Sequence, residues 1–227
     1  MKKFISLFLI LSLIFCFAAC GGNETPDENS GNNIVNNVDD NQNADNITSN
    51  KEITLEDVEN APVSPESDFH YYDVDGGIEV VYDGDDEIVV VPETIDGKNV
   101  VAVARRGFVN ADTVRAVKLA NSIKFIGDNA FHSNESIEIL VAGSGLETIG
   151  YCAIGNCENL RILTLNDGLK EIDVGGISMN PKLMELDIPN SVTQIDYVPT
   201  QGSIIICESG SEAENFAKLN GYEYRLK

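Results

Sequence analysis

"VRAVKLANSIKFIGDNAFHSNES" (114–136) and the stretch that follows it, "IEILVAGSGLETIGYCAIGNCEN" (137–159), are two settings of one pattern. Laid over 160–182 and 183–205, the columns match at a spacing of 23 residues with no insertion. The first apolar column is Val114, Ile137, Leu160 and Leu183; three positions on come Val117, Leu140, Leu163 and Leu186. A second apolar pair begins with Ile123, Leu146, Leu169 and Val192 and ends with Ile126, Ile149, Ile172 and Ile195. One unit further back, Val100, Val103, Gly107 and Phe108 form a degenerate copy. A fixed period in the twenties is the mark of a solenoid. Each unit carries two short strand-like pieces and a turn rich in Gly, Asn or Asp, and none has a long helical stripe. A single unit cannot bury its own apolar face, whereas units stacked about 4.8 Å apart share one continuous core.

The outward columns support the same register. Positions 115, 138 and 161 read Arg, Glu, Arg, and positions 124, 147 and 170 read Lys, Glu, Lys. In parallel stacking these neighbours touch, so alternating sign avoids like-charge contact and adds a few tenths of a kcal/mol per pair. Between the charged columns, Ile139, Val141 and Ile162 with Met184 form an apolar patch bordered by Arg115. Exposed apolar patches rimmed by charge mark partner sites, so these five residues are the candidate binding surface. The bland reading of the patch is that β-branched ladders favour strand stacking.

The pattern in "TVRAVKLANSIKFIGDNAFHSN" (113–134) and "NLRILTLNDGLKEI" (159–172) resembles the BspA-type leucine-rich repeat of bacterial surface proteins, over residues 78–227. The resemblance implies a mostly β, short right-handed leucine-rich-repeat solenoid of about five coils. It also implies an N-terminal hairpin with a degenerate first repeat (68–112), repeats over 113–203, and a strand–helix cap over 204–227. In the cap, Ser211 fits the N-cap, Glu212 and Glu214 the first turn, and Gly221 the stop. Pro199-Thr200 stand where Ala-Phe belong, as expected of a terminal coil. In this pattern Cys157 takes the Cys/Asn column shared with Asn134 and Asn180, and Cys152 an outward turn position. The family is taken to mediate adhesion or protein–protein contact, which implies a non-catalytic surface module, here expected to be monomeric.

The N-terminus supplies an address. "MKKFISLFLILSLIFCFAAC" joins two lysines to an apolar run from Phe4 to Phe17, the form of a secretory signal. The run is shorter than the roughly 18–20 residues a spanning helix needs. Ala18-Ala19-Cys20 resembles the lipobox of bacterial lipoproteins, with Phe17 where leucine is usual. That resemblance implies lipidation of Cys20, and so a membrane contact through a lipid anchor on the outer face of the cell. An ordinary signal cleaved after Ala19 is the alternative. Residues 20–67 then read as a disordered acidic, Asn-rich linker, with one lysine against eleven acids over 21–67. Its coil span would be about 5–6 Å × √n, or roughly 40 Å. "EITLEDV" (52–58) is compatible with one short helical turn inside it.

The formal charge of −22 excludes nucleic acid as a partner, since phosphate binding needs clustered Lys and Arg. Removal of the signal would leave Cys152, Cys157 and Cys207 beyond Cys20, too few and too irregular for a disulfide framework. The two histidines, His70 and His132, accompany no nucleophile signature, His132 sits at a loop position expected to face solvent, and no cofactor motif is present. The acidic stretches "DVDGG" (73–77) and "DGDDE" (83–87) read as hairpin turns. Calcium held by Asp83, Asp85 and Asp86 is the alternative there. Two rival functions stand beside the binding module: a structural envelope spacer and a calcium-dependent module.

Overall fold

The computed structural model describes residues 51–200 and 202–227 of the 227-residue chain. After α1 (Leu55–Glu59) and a single 3-10 turn at Glu66–Asp68 come β1 (Phe69–Val74) and β2 (Gly77–Tyr82), an antiparallel hairpin. Then follow β3 (Ile88–Val90), β4 (Thr94–Ile95) and β5 (Lys98–Val103). The β4–β5 hairpin closes through Asp96 and Gly97 at φ 50° and 74°, the two positive angles a type I′ turn requires. The 83–87 stretch is not the hairpin turn expected of it. It is the crossover between two sheets, because β3 pairs in parallel with a later strand and not with β2. Gly84 is needed there for room: a Cβ would stand 2.5 Å from the Tyr82 hydroxyl.

From there the period takes over. The coils contribute β6 (Ala116–Lys118), β7 (Phe125–Ile126), β8 (Ile139–Val141), β9 (Thr148–Ile149), β10 (Ile154–Gly155), β11 (Ile162–Thr164), β12 (Glu171–Ile172), β13 (Ile177–Ser178), β14 (Glu185–Asp187) and β15 (Gln194–Ile195). The chain ends with β16 (Ile204–Cys207), α2 (Glu212–Asn220) and β17 (Tyr224–Leu226). First strands stack in the order β11-β8-β6-β3, and second strands in the order β1-β2-β5-β7-β9-β12-β15. Ala116, Ile139 and Ile162 stand in register, as do Phe125, Thr148, Glu171 and Gln194, so the sequence columns are the hydrogen-bonded columns. The fourth first-strand, β14, belongs to the cap sheet β14-β16-β17. This is the handover that Pro199-Thr200 announced.

The core is the set of inward columns, with Ile123, Ile126, Leu140, Leu146, Ile149 and Leu160 fully buried. At its N-terminal end the column is aromatic: Tyr82 stacks on Phe108 (5.4 Å between centroids) and Phe108 on Phe131 (4.7 Å). Phe69 closes the row edge-on at 5.3 Å. Such contacts add about 0.5–1.5 kcal/mol each beyond burial. The corner of each coil is made by a left-handed residue in one column: Arg106, Asn129, Cys152 and Gly175, at φ 60°, 55°, 48° and 66°. At the C-terminal end the Ser211 hydroxyl accepts from the Glu214 amide (3.2 Å) and Gly221 ends α2 at φ 70°, as the cap requires.

Residues 51–67 depart from the expected linker. Acidic composition pointed to disorder, yet this stretch folds onto the solenoid. Ile53 and Val58 are 5% and 0% exposed, and Ser64 is buried at the edge of β3. Its hydroxyl accepts from the Val90 amide (3.1 Å) while its own amide donates to the Val90 carbonyl (3.0 Å). What composition hid is a pair of aliphatic anchors and a helix cap. Thr54 Oγ1 accepts from the Asp57 amide (3.2 Å), and Asp57 Oδ2 accepts from the Thr54 amide (2.9 Å).

Candidate binding face

Strand alternation puts Leu140 into the core and turns Ile139 and Val141 outward. The sequence placed Arg115, Ile139, Val141, Ile162 and Met184 on one open surface. Ile139 and Val141 are instead buried, at 0% and 7% exposure, and Ile162 is half-buried. Ile53 and Val58 lie over them and form, with Ala116, an apolar cluster separate from the main core. Met184 alone of the five is open, at 66%. Five β-branched or small side chains leaving water together are worth about 25 cal/mol per Å² of apolar surface, which is why this face does not stay bare.

Basic side chains frame the cover. The Arg115 guanidinium donates to the Lys51 carbonyl (3.2 Å), and that of Arg161 to the Ile53 carbonyl. Lys118 Nζ pairs with Glu59 at 2.5 Å, and Arg161 with Glu52 at 3.7 Å. Beneath them the expected charge ladder is in place: Glu138 lies 2.6 Å from Arg115 Nε and 3.3 Å from Arg161 Nε. Burial alone would push the Glu138 carboxyl up, but its bonds to Arg115 and Arg161 outweigh that and hold it below the usual glutamate range. The second ladder is also present, with Lys170 2.5 Å and Lys124 3.9 Å from Glu147. The Asp57 carboxyl is lowered to about 2 by its two bonds with Thr54 and by Lys51.

Cys157 sits where the repeat column put it, fully buried. Its thiol donates to the Phe131 carbonyl (3.2 Å), as the Asn134 amide one coil earlier donates to that of Phe108 (3.1 Å). Asn180, one coil later, accepts from the Cys157 amide and donates to the Ile154 carbonyl, both at 3.0 Å. Burial pushes the Cys157 thiol up to about 12, so it serves packing and turn closure. Cys207 is buried in β16, while Cys152 lies half-exposed. His132, expected to face solvent, is half-buried beside Ser133, and burial followed by the Arg106 charge lowers its imidazole. Asp83 pairs with His70 at 3.0 Å. Among the described residues no three His, Cys, Asp or Glu side chains come together as a metal-ligand set. The lipidation candidate Cys20 lies outside the described residues.

Residues 94–202 match the BspA type leucine rich repeat region in six copies. Among solved structures, the chain is similar to the leucine rich repeat protein of T. pallidum, at 26% identity and a TM-score of 0.58, over 64% of this chain and 71% of that one. A leucine-rich repeat protein from Bacteroides ovatus is similar at 20% identity and a TM-score of 0.49, over 70% of this chain and 51% of the other. No curated protein matches the chain. The 23-residue coils and the Asn/Cys column agree with the repeat match: residues 94–202 are similar to the BspA type leucine rich repeat, and the chain folds as a leucine-rich-repeat solenoid.

Proposed function

We propose that this protein is a non-catalytic, protein-binding module carried on the outer surface of a bacterial cell. One observation carries the reading: the outer face of the first-strand sheet already holds a peptide segment, seated by Ile53 and Val58 and framed by Arg115, Lys118 and Arg161. A surface that grips an acidic segment with two apolar anchors and bonds to its main-chain carbonyls has the parts peptide recognition uses. Anchoring would be through a lipid on Cys20, and adhesion to an extracellular protein or polymer would be the biological outcome.

The spacer reading has an observation of its own. The apolar patch read as a partner site is covered by the chain itself. The test is saturable binding of the full chain to extracellular-matrix proteins, mucin and cell-wall polymers, compared with a Lys118→Glu/Arg161→Glu variant of matched thermal stability. Binding by the native chain that the variant loses supports a binding module using this face. No binding by either, with both folded, favours the spacer.

A further inference from the structure

The segment over the strand face packs outside the main core of the fold beneath it. No residue of 51–61 belongs to the main hydrophobic core, which runs unbroken from Phe69 to Ala217. Ile53 and Val58 instead make a small cluster with the outward side chains of β6 and β8. Between this segment and the clamp at Ser64, residues 60–63 include an exposed Asn60 and Pro62 and a Val63 that is 62% exposed. The cover therefore shares no core side chain with the solenoid interior and is joined to it by a short surface linker.

Resting on the binding-module reading, we infer that residues 51–59 are a resident self-ligand, and that the face beneath them takes an acidic protein segment of the same design. The charges decide the design. Lys118 and Arg161 each meet a carboxylate of the segment, Glu59 and Glu52, while Arg115 and Arg161 bind its main-chain carbonyls. The partner segment then carries two aliphatic anchors five residues apart across one capped helical turn, with acids outside both anchors, as Glu52, Ile53, Val58 and Glu59 do. A basic or neutral segment would leave Lys118 without the Glu59 carboxylate and Arg161 without that of Glu52.

The tether sets the threshold. A segment joined by a short flexible linker competes at an effective concentration on the order of millimolar, so a free peptide must displace it against that figure. A partner would succeed by binding more tightly, or by arriving as part of a larger contact.

The test uses the full chain and a labelled peptide of residues 51–61. In an Ile53→Asp/Val58→Asp chain, folded by near-ultraviolet circular dichroism, the peptide should bind saturably, at least tenfold more tightly than to the native chain. Amide shifts should concentrate in β6 and β8. A peptide bearing the same two substitutions should not bind. Should the double variant unfold, Ile53→Ser/Val58→Ser serves in its place. No peptide binding to a folded released chain up to millimolar concentration overturns the inference, as does equal binding to native and released chains. If the native chain binds a surface protein that the Lys118→Glu/Arg161→Glu variant still binds, while the peptide fails, the module reading stands and this one falls.

Discussion

The guanidinium of Arg161 donates to the main-chain carbonyl of Ile53, a residue 108 positions earlier in the sequence. The same arginine holds Glu138, one coil below, at 3.3 Å. One side chain thus joins the charge ladder of the repeat to the segment that covers it. Arg161→Ala would remove the carbonyl bond, the contact with Glu52 and one of the two arginine partners of Glu138. We expect looser attachment of residues 51–59, seen as faster proteolysis near Lys51, with the midpoint of thermal unfolding little changed.

Leu140 on β8 and Val58 on α1 separate core from cover. Leu140→Ala opens a cavity inside the solenoid and should cost about 2–5 kcal/mol in urea denaturation. Val58→Ala, in the separate outer cluster, should cost less than about half of that. Equal losses would mean that the cover and the core unfold as one unit.

The buried asparagines close turns from within. Asn180→Ala would leave the Cys157 amide and the Ile154 carbonyl without their side-chain partner. Each orphaned buried group costs about 1–3 kcal/mol, so denaturation should shift by a few kcal/mol. Asn134→Ala, which strips the Phe108 and Ala111 carbonyls and the Ser136 and Ile137 amides, should cost at least as much.

Thiol labelling reads the same geometry. Cys157 is buried with its thiol raised to about 12, and Cys207 is buried with its thiol also raised by burial. Of the three cysteines among the described residues, Cys152 should react first with a maleimide at neutral pH, while Cys157 and Cys207 should react only as the fold opens. Fast labelling of Cys157 in the folded state would contradict its place in the turn column.

Acid should loosen the cover before it opens the core. Asp57 and Glu138 both titrate below their ordinary values in the folded chain, so each contributes stability that is present above the unfolded value and lost as pH falls through the folded one. For Asp57 that window runs from 3.8 down to about 2. Methyl resonances of Ile53 and Val58 should hold constant from neutral pH to the upper edge of this window, then move toward free-peptide positions. Release on raising the pH would reverse the sign of the account.

The repeat was legible because a solenoid writes its contacts into the sequence. Each inward residue meets the residue 23 positions away, so columns such as Val117, Leu140 and Leu163 are also contacts. The charge ladders at Glu138 and Glu147 were readable for the same reason. The cover was not, because its contacts with the solenoid fall outside the period and are not repeated along it. Its two anchors, Ile53 and Val58, are diluted by acids, and the composition of 21–67 as a whole describes an unfolded chain. Two local signals were present: the Thr54–Asp57 capping pair, and Lys118 in a column whose later members, Val141 and Thr164, offer it no acid. The candidate patch lies on the outer face of the first strands, but Ile53 and Val58 of the chain itself cover Ile139 and Val141 there. The crossover at 83–87 was missed because Asp-Gly is a turn signal that does not say which sheet the next strand joins.

The most direct measurement is native-state hydrogen exchange at the amides of Val58 and Asn60 in the unmodified chain. These donate to the Thr54 and Glu56 carbonyls at 3.2 and 3.1 Å, inside a five-residue helix. A helix this short does not persist alone in water, so protection there requires docking on the strand face. The account predicts exchange at least a hundredfold slower than in the free 51–61 peptide. Exchange at the peptide's own rate would place residues 51–59 off the sheet and contradict the account.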